Sequence, residues 1–353
     1  MTNQKRWWTL ASTFGAAFSV AIAQPPATVI DSLDLSAIPA GTIHRFWLTL
    51  GEDTFQEPIK VPLLVAKGLA DGPTLGIVAA IHGNELNGIA AIQRLFEGLD
   101  PQLLRGVIIA VPGANRLALE LNQRTFPDGV DINRVFPGKA RGDESAQFAH
   151  RFYRGVVPHL DVLLDLHTAS FGRENTFYVR ADLENDTLAQ LARLQAPDII
   201  LHSTGKPSAG QAGNGLTLRE AAADDGVIGL TMELGNPQVY QEAMVERGLA
   251  GLQRALAWLD MLPAAPALPA DHQPVYCRRS YWLYTDAGGL LEVYPPLGAR
   301  LEAGELIARL RNPFGDVIRE YFAPEAGVVI GKSSNPAGSN GARILHLGRL
   351  ATE

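Results

Sequence analysis

Three apolar runs in this chain each end on a short polar motif, and no other feature limits the possible folds as strongly. Residues 74–81 run into His82-Gly83-Asn84-Glu85, residues 162–164 into Asp165-Leu166-His167-Thr168, and residues 227–232 into Glu233-Leu234-Gly235. Short continuous apolar runs fit strands buried on both faces, as in parallel sheets covered by helices. In open sheets of that kind, sites form beyond the carboxyl ends of the strands. Three chemically active motifs at three such ends are therefore expected to share one site.

The segments between these runs support that layout. Residues 42–50 and 59–67 alternate or run apolar around a Gly51-Glu52-Asp53 turn and read as a hairpin. Residues 86–99 carry Ile89, Ile92, Leu95 and Phe96 at helical spacing. Residues 107–111 and 199–201 read as further strands, and residues 145–157, 188–195, 216–225 and 241–259 as helices. Strands alternating with helices predict an α/β domain with a largely parallel sheet. At residues 262–269 the chain becomes a Pro/Ala linker, after which helical periodicity gives way to short strands between Gly and Pro turns. The expected boundaries are an α/β domain over 24–262, a linker over 263–271 and a small β-rich domain over 272–353.

His82 and Glu85 lie three apart, so in a first helical turn they face one side and can reach one metal ion. Gly83 lets the backbone turn sharply after the strand. Alone, this pair also fits a polar loop with a capping His. His167 supplies a third ligand, and two His with one Glu are the protein ligands of a class of catalytic zinc sites that keep water in the fourth position. Asp165 stands two residues before His167 and either orients its ring or forms a strand-end salt bridge. Glu233 would be costly at the end of a buried strand unless paired or functional. Beside zinc it can act as general base, and a cap or ion pair is its structural alternative. In the turn-rich loop over 128–138, Arg134, with Arg124 upstream, can clamp a substrate carboxylate through two parallel hydrogen bonds. Asn133 can orient that group or polarise a carbonyl. Ordinary surface ion pairs are the alternative for both arginines.

Other signals carry less. Gly331-Lys332-Ser333 mimics the end of a phosphate-binding loop, but residue 326 is Ala where the first Gly belongs. Residues 210–215 are a Gly-rich segment expected to act as a lid or pocket wall. His202 also follows an apolar run and is expected to play a supporting or surface role. With a net charge of −7 and no Lys/Arg run, the chain carries no electrostatic footprint for nucleic acid. Its one cysteine, Cys277, excludes an intramolecular disulfide.

The motifs HGNE, DINRVFPG, DLHT and MELGNPQ, in this order from residue 43 onward, resemble the succinylglutamate desuccinylase/aspartoacylase family, which is related in fold to zinc carboxypeptidases. The resemblance implies a central mixed sheet flanked by helices and a C-terminal β domain. It implies one zinc ion held by His82, Glu85 and His167, and Glu233 as general base. It also implies that Asn133 and Arg134, with Arg124, bind the substrate. Residues 290–347 resemble a biotinyl/lipoyl-type sandwich without a Lys at the attachment tip. The expected activity is zinc-dependent hydrolysis of an N-acyl amide bond in a small substrate bearing a carboxylate. A metallocarboxypeptidase acting on short peptides or cell-wall fragments, and a non-catalytic periplasmic protein that keeps a metal site, are the alternatives. A binding protein would have no need of Glu233.

Lys5 and Arg6 precede an uncharged stretch over 10–23 that ends in Ala21-Ile22-Ala23, the pattern of a cleaved export signal too short to anchor stably in a bilayer. It sets the chain apart from the family's usual cytosolic members. Export predicts a mature chain that begins near Gln24 and is periplasmic or extracellular. N-terminal sequencing of protein from the native host checks this, and an intact N-terminus in the cytosolic fraction would contradict it.

Overall fold

The computed structural model describes residues 26–204 and 215–351. The export segment and most of the Gly-rich stretch over 210–215 lie outside these residues. Strands run in the order β1 (Thr28–Ile30), β2 (Thr42–Glu52), β3 (Pro58–Lys67), β4 (Ala70–Ala79), β5 (Arg105–Val111), β6 (Val162–His167), β7 (Arg173–Asn175), β8 (Phe177–Ala181), β9 (Ile199–His202), β10 (Ile228–Leu234) and β11 (Val275–Tyr284). The helices are α1 (Asn87–Glu97), α2 (Arg116–Glu120), α3 (Glu144–Val156), α4 (Asp186–Leu194), α5 (Leu218–Asp224) and α6 (Glu242–Trp258). Strands β5, β4, β6 and β10 lie side by side and parallel at the centre of one large sheet. The antiparallel hairpin β2–β3 extends one side, and β8, antiparallel to β10, begins the other. The sheet is thus mixed and largely parallel at its centre.

Helices cover both faces, because the strands are apolar on both. Leu164, Leu166, Leu230, Met232 and Leu234 join Ile92 and Leu95 of α1 and Leu252 and Ala255 of α6 in one core. Leu163 and Val78 join Phe148 and Phe152 of α3 and Ala221 and Ala222 of α5 in the other. Helix α3 starts where the Asp143 side chain accepts from the Ala146 amide, and α5 where Thr217 and Glu220 form a reciprocal cap. Among the described residues no helix is long and apolar enough to cross a membrane.

The C-terminal strands do not stand apart from this sheet. Beyond β11 come β12 (Gly289–Val293), β13 (Arg300–Leu301), β14 (Leu306–Arg311), β15 (Val317–Phe322), β16 (Gly327–Ser333), β17 (Ala337–Gly338) and β18 (Arg343–Leu350). Strand β11 pairs parallel with β9 and antiparallel with β18, so β11, β18, β16 and β13 continue the large sheet. Strands β15, β14, β12 and β17 form a second, four-stranded sheet. Gly331-Lys332-Ser333 lies in β16, paired with β7, and Lys332 forms an ion pair with Glu174.

Asn87, buried in the first turn of α1, ties that helix to the end of β10. Its Nδ2 donates to the Leu234 carbonyl at 2.7 Å, and its Oδ1 accepts from the Gln241 amide at 2.8 Å. Asn87→Ala leaves both backbone groups unpaired, so a loss of about 1–3 kcal/mol is expected. A shift of the urea midpoint measures it. An unchanged midpoint would show that water replaces the side chain.

Candidate active site

The two-residue period of the strands decides which side chains reach the site. In β6 and β10, Leu164, Leu166, Leu230, Met232 and Leu234 enter the core beneath α1 and α6, so Asp165, His167 and Glu233 project from the opposite face. The register pairs Glu233 with His167 across two parallel strands. His82 and Glu85 follow β4, on the other side of β6.

The turn that carries His82 and Glu85 differs from the one expected. Helix α1 begins only at Asn87, and the Glu85 amide donates to the His82 carbonyl at 3.1 Å in a tight turn before it. The sharp change of direction falls on Ala80, at φ +57°. Gly83 serves close approach instead, since a Cβ there would lie 2.1 Å from the Ala118 carbonyl carbon. Asn115 completes the support: its Nδ2 donates to the Ile81 carbonyl at 3.0 Å, and its Oδ1 caps α2 by accepting from the Ala118 amide. The sequence reading missed α2, which is only five residues long.

His82, Glu85 and His167 are buried and converge, with one potential ligand atom from each lying within 4.8 Å of the others. His82 Nδ1 is 3.0 Å from Glu85 Oε1, His167 Nδ1 is 2.9 Å from Glu85 Oε2, and the two Nδ1 atoms are 3.2 Å apart. The far ring nitrogens meet carboxylates: His167 Nε2 lies 2.9 Å from Asp165 and His82 Nε2 lies 3.1 Å from Asp131. Such partners accept from Nε2–H and aim both Nδ1 atoms at one point, where a metal ion would take the place of a ring proton. Asp165 therefore faces the His167 ring, as an orienting group would. Burial works against charge on Glu85, yet His82 and His167 hold its carboxyl well below the usual range. Burial likewise works against a charged His167, but Asp165 and Glu85 push its pKa well above the usual histidine value. The cluster thus favours positive charge at its centre. Two imidazole nitrogens and a carboxylate fit a divalent cation of the zinc type.

Around this cluster lies a cavity of about 540 Å³, lined by Arg124, Asn133, Arg134 and Glu233 as well as the three converging residues. Arg124 does not project as a free fork. Its guanidinium donates to Glu85 at 3.1 Å and to Asp131 at 2.9 Å, and also contacts Ser170 Oγ. Buried Glu85 and half-buried Asp131 thus engage the group that the sequence suggested for a substrate. Arg134 makes no carboxylate pair among the described residues; its Nη1 donates to the Asn133 carbonyl at 2.6 Å. Asn133 Oδ1 accepts from the Leu218 amide at 2.8 Å, which fixes the start of α5 against the loop. His202 points elsewhere and accepts from the Leu183 amide at 3.1 Å.

Sequence reasoning missed much of the opposite wall. Tyr178 and Arg180 of β8, Asn175 of β7, and Trp282, Tyr284 and Arg343 from the C-terminal strands all line the cavity. The Phe177-Tyr178-Val179-Arg180-Ala181 alternation could have revealed β8, since Phe177, Val179 and Ala181 enter the core. No local pattern marks the C-terminal residues, which arrive through the pairing of β9 with β11.

Together, fold and site define an α/β enzyme whose sheet gathers a His-Glu-His cluster at its carboxyl edge. Residues 71–259, more than half of the chain, match the succinylglutamate desuccinylase/aspartoacylase catalytic domain, and the chain belongs to that family. The N-alpha-acetyl-L-2,4-diaminobutyric acid deacetylase of Halomonas elongata is 28% identical over 316 residues, which cover 85% of this chain and 87% of that protein. The product-bound structure of the ectoine utilization protein EutE (DoeB) from Ruegeria pomeroyi has a TM-score of 0.78 at 23% identity, covering 89% of this chain and 97% of that one. The crystal structure of succinylglutamate desuccinylase/aspartoacylase from Rhodobacter sphaeroides has a TM-score of 0.78 at 22% identity, covering 88% and 96%. These two likenesses concern the fold.

Proposed function

We propose that the chain is a zinc-dependent deacylase that adds water across the N-acyl amide bond of a small acylated amino acid, releasing a carboxylate and an amine. The observation that carries this reading is the convergence of His82 Nδ1, Glu85 and His167 Nδ1, with Glu233 one strand away in the same cavity. Family membership and the deacetylase relative support the reaction class.

His82, Glu85 and His167 would hold the ion. Bound there, zinc supplies Lewis-acid polarisation of the scissile carbonyl and lowers the pKa of water toward about 7. Asp165 and Asp131 keep the two imidazoles in the tautomer that ligates. Glu233 takes a proton from the attacking water as the C–O bond forms and the carbonyl π bond opens, then delivers it to the nitrogen, whose departure breaks the C–N bond and restores the carbonyl. Arg134, one of the cavity guanidinium groups that make no salt bridge to a carboxylate among the described residues, pairs with the substrate's own carboxylate.

His82→Ala and His167→Ala are each expected to abolish turnover and tight zinc binding together, since each removes one of three protein ligands. Glu233→Gln is expected to keep its zinc and to lose kcat by roughly 10²–10⁴-fold, the span typical of a general acid–base group. Metal analysis alongside steady-state kinetics on N-acyl amino acids reads both. Full zinc occupancy in both His variants would refute the ligand assignment.

Arg134→Lys replaces a bidentate fork by a point charge. Much of kcat/KM on N-acyl amino acids should disappear, and the wild type should turn over the corresponding carboxamides poorly. Equal kcat/KM on acid and amide forms would rule out the clamp.

A further inference from the structure

Glu233 is held on both of its oxygens. Tyr178 Oη lies 3.2 Å from Oε1, Arg180 Nε pairs with that same oxygen at 3.8 Å, and Asn175 Nδ2 lies 3.4 Å from Oε2. The direction of the tyrosine bond follows from its other partner. Arg180 Nη2 donates to Tyr178 Oη at 2.8 Å, a guanidinium cannot accept, and a phenol carries one proton. That proton therefore goes to Glu233. Burial pushes the Tyr178 pKa well up, which keeps the hydroxyl a donor.

Both donors rest on the C-terminal strands. Asn175 sits in β7, which pairs with β16 at Gly331, and a Cβ on Gly331 would lie 2.2 Å from Asn175 Oδ1. The absent side chain at residue 331 is what allows Asn175 its position. The Tyr178 ring meets the edge of His346 of β18, with centroids 6.1 Å apart. His346 stacks in turn on Trp282 of β11 at 5.1 Å, and its Nε2 lies 2.7 Å from Ser280 Oγ.

We infer that the C-terminal strands belong to the catalytic machinery: through Gly331 and His346 they brace Asn175 and Tyr178, which act as positioning residues that fix the orientation of the Glu233 carboxylate. The inference rests on the reading that Glu233 transfers the proton. A base held by two hydrogen-bond donors and the Arg180 ion pair is aimed before substrate arrives, which saves reorganisation during the reaction.

The test uses the zinc-loaded full chain. N-acetyl-L-aspartate, N-succinyl-L-glutamate and N-acetyl-L-2,4-diaminobutyrate are screened, and the fastest is used. Asn175→Ala and Tyr178→Phe are each expected to lower kcat about tenfold, the equivalent of one charge-assisted hydrogen bond, with KM and zinc content unchanged. Asn175→Leu fills the same space without a donor or a charge, so it should not recover the activity that a space-filling role would recover. Gly331→Ala should reproduce the Asn175→Ala kinetics while retaining the wild-type circular dichroism spectrum. A second readout does not depend on turnover. Crystal structures should show one Glu233 rotamer in the wild type and a displaced or split carboxylate in the Asn175→Ala/Tyr178→Phe double variant. An unmoved Glu233 in the double variant, or near-normal kcat in both single variants while Glu233→Gln is inactive, would overturn the brace alone. Near-normal turnover by Glu233→Gln would remove the base assignment, and the inference with it.

Discussion

The whole site depends on the parallel register of β4, β6 and β10. Hydrogen bonding between neighbouring parallel strands sets their carboxyl ends side by side at the spacing of a sheet, about 4.8 Å. His82, His167 and Glu233 leave from those ends, so residues far apart in sequence meet without long loops. A one-residue slip of β10 would turn Glu233 into the core beneath α1 and send Met232 or Leu234 to the cavity. The apolar residues that resist such a slip are the same ones that bury the sheet.

Charge is arranged around that frame in layers. Glu85 and the two imidazoles form the centre, Asp131 and Asp165 take the outer ring nitrogens, and Arg124 spans Glu85 and Asp131. Each buried carboxylate thus has a partner, as burial requires. What the protein does not neutralise faces the cavity: the Arg134 guanidinium lacks a carboxylate partner among the described residues, and Arg173, half-buried nearby, has its pKa lowered by burial and by Arg124 and Arg343. These guanidinium groups are suited to the carboxylate substrate proposed for the site.

The parts of this arrangement written in local pattern were legible in the sequence. Apolar runs with polar ends marked β4, β6 and β10 and the residues that leave them, because a strand buried on both faces has little freedom of composition. The alternating β2–β3 hairpin and the amphipathic α1 and α6 were legible for the same reason. The reason for Gly83 was not, since the backbone of Ala118 approaches it from another element. Arg124 looked available because the sequence does not show that Glu85 and Asp131 are its neighbours. Trp282, Tyr284 and Arg343 were invisible as cavity residues because the pairing of β9 with β11, far apart in the chain, brings them there, and no periodicity records that pairing.

One zinc ion held by His82, Glu85 and His167 is what the proposed reaction requires. X-ray diffraction recorded on both sides of the zinc absorption edge, from crystals of protein purified without added metal, locates that ion. One anomalous peak per chain is expected within bonding distance, about 2.0–2.2 Å, of His82 Nδ1, a Glu85 oxygen and His167 Nδ1. A fully active preparation with no peak there, or with its zinc held by other side chains, would contradict it.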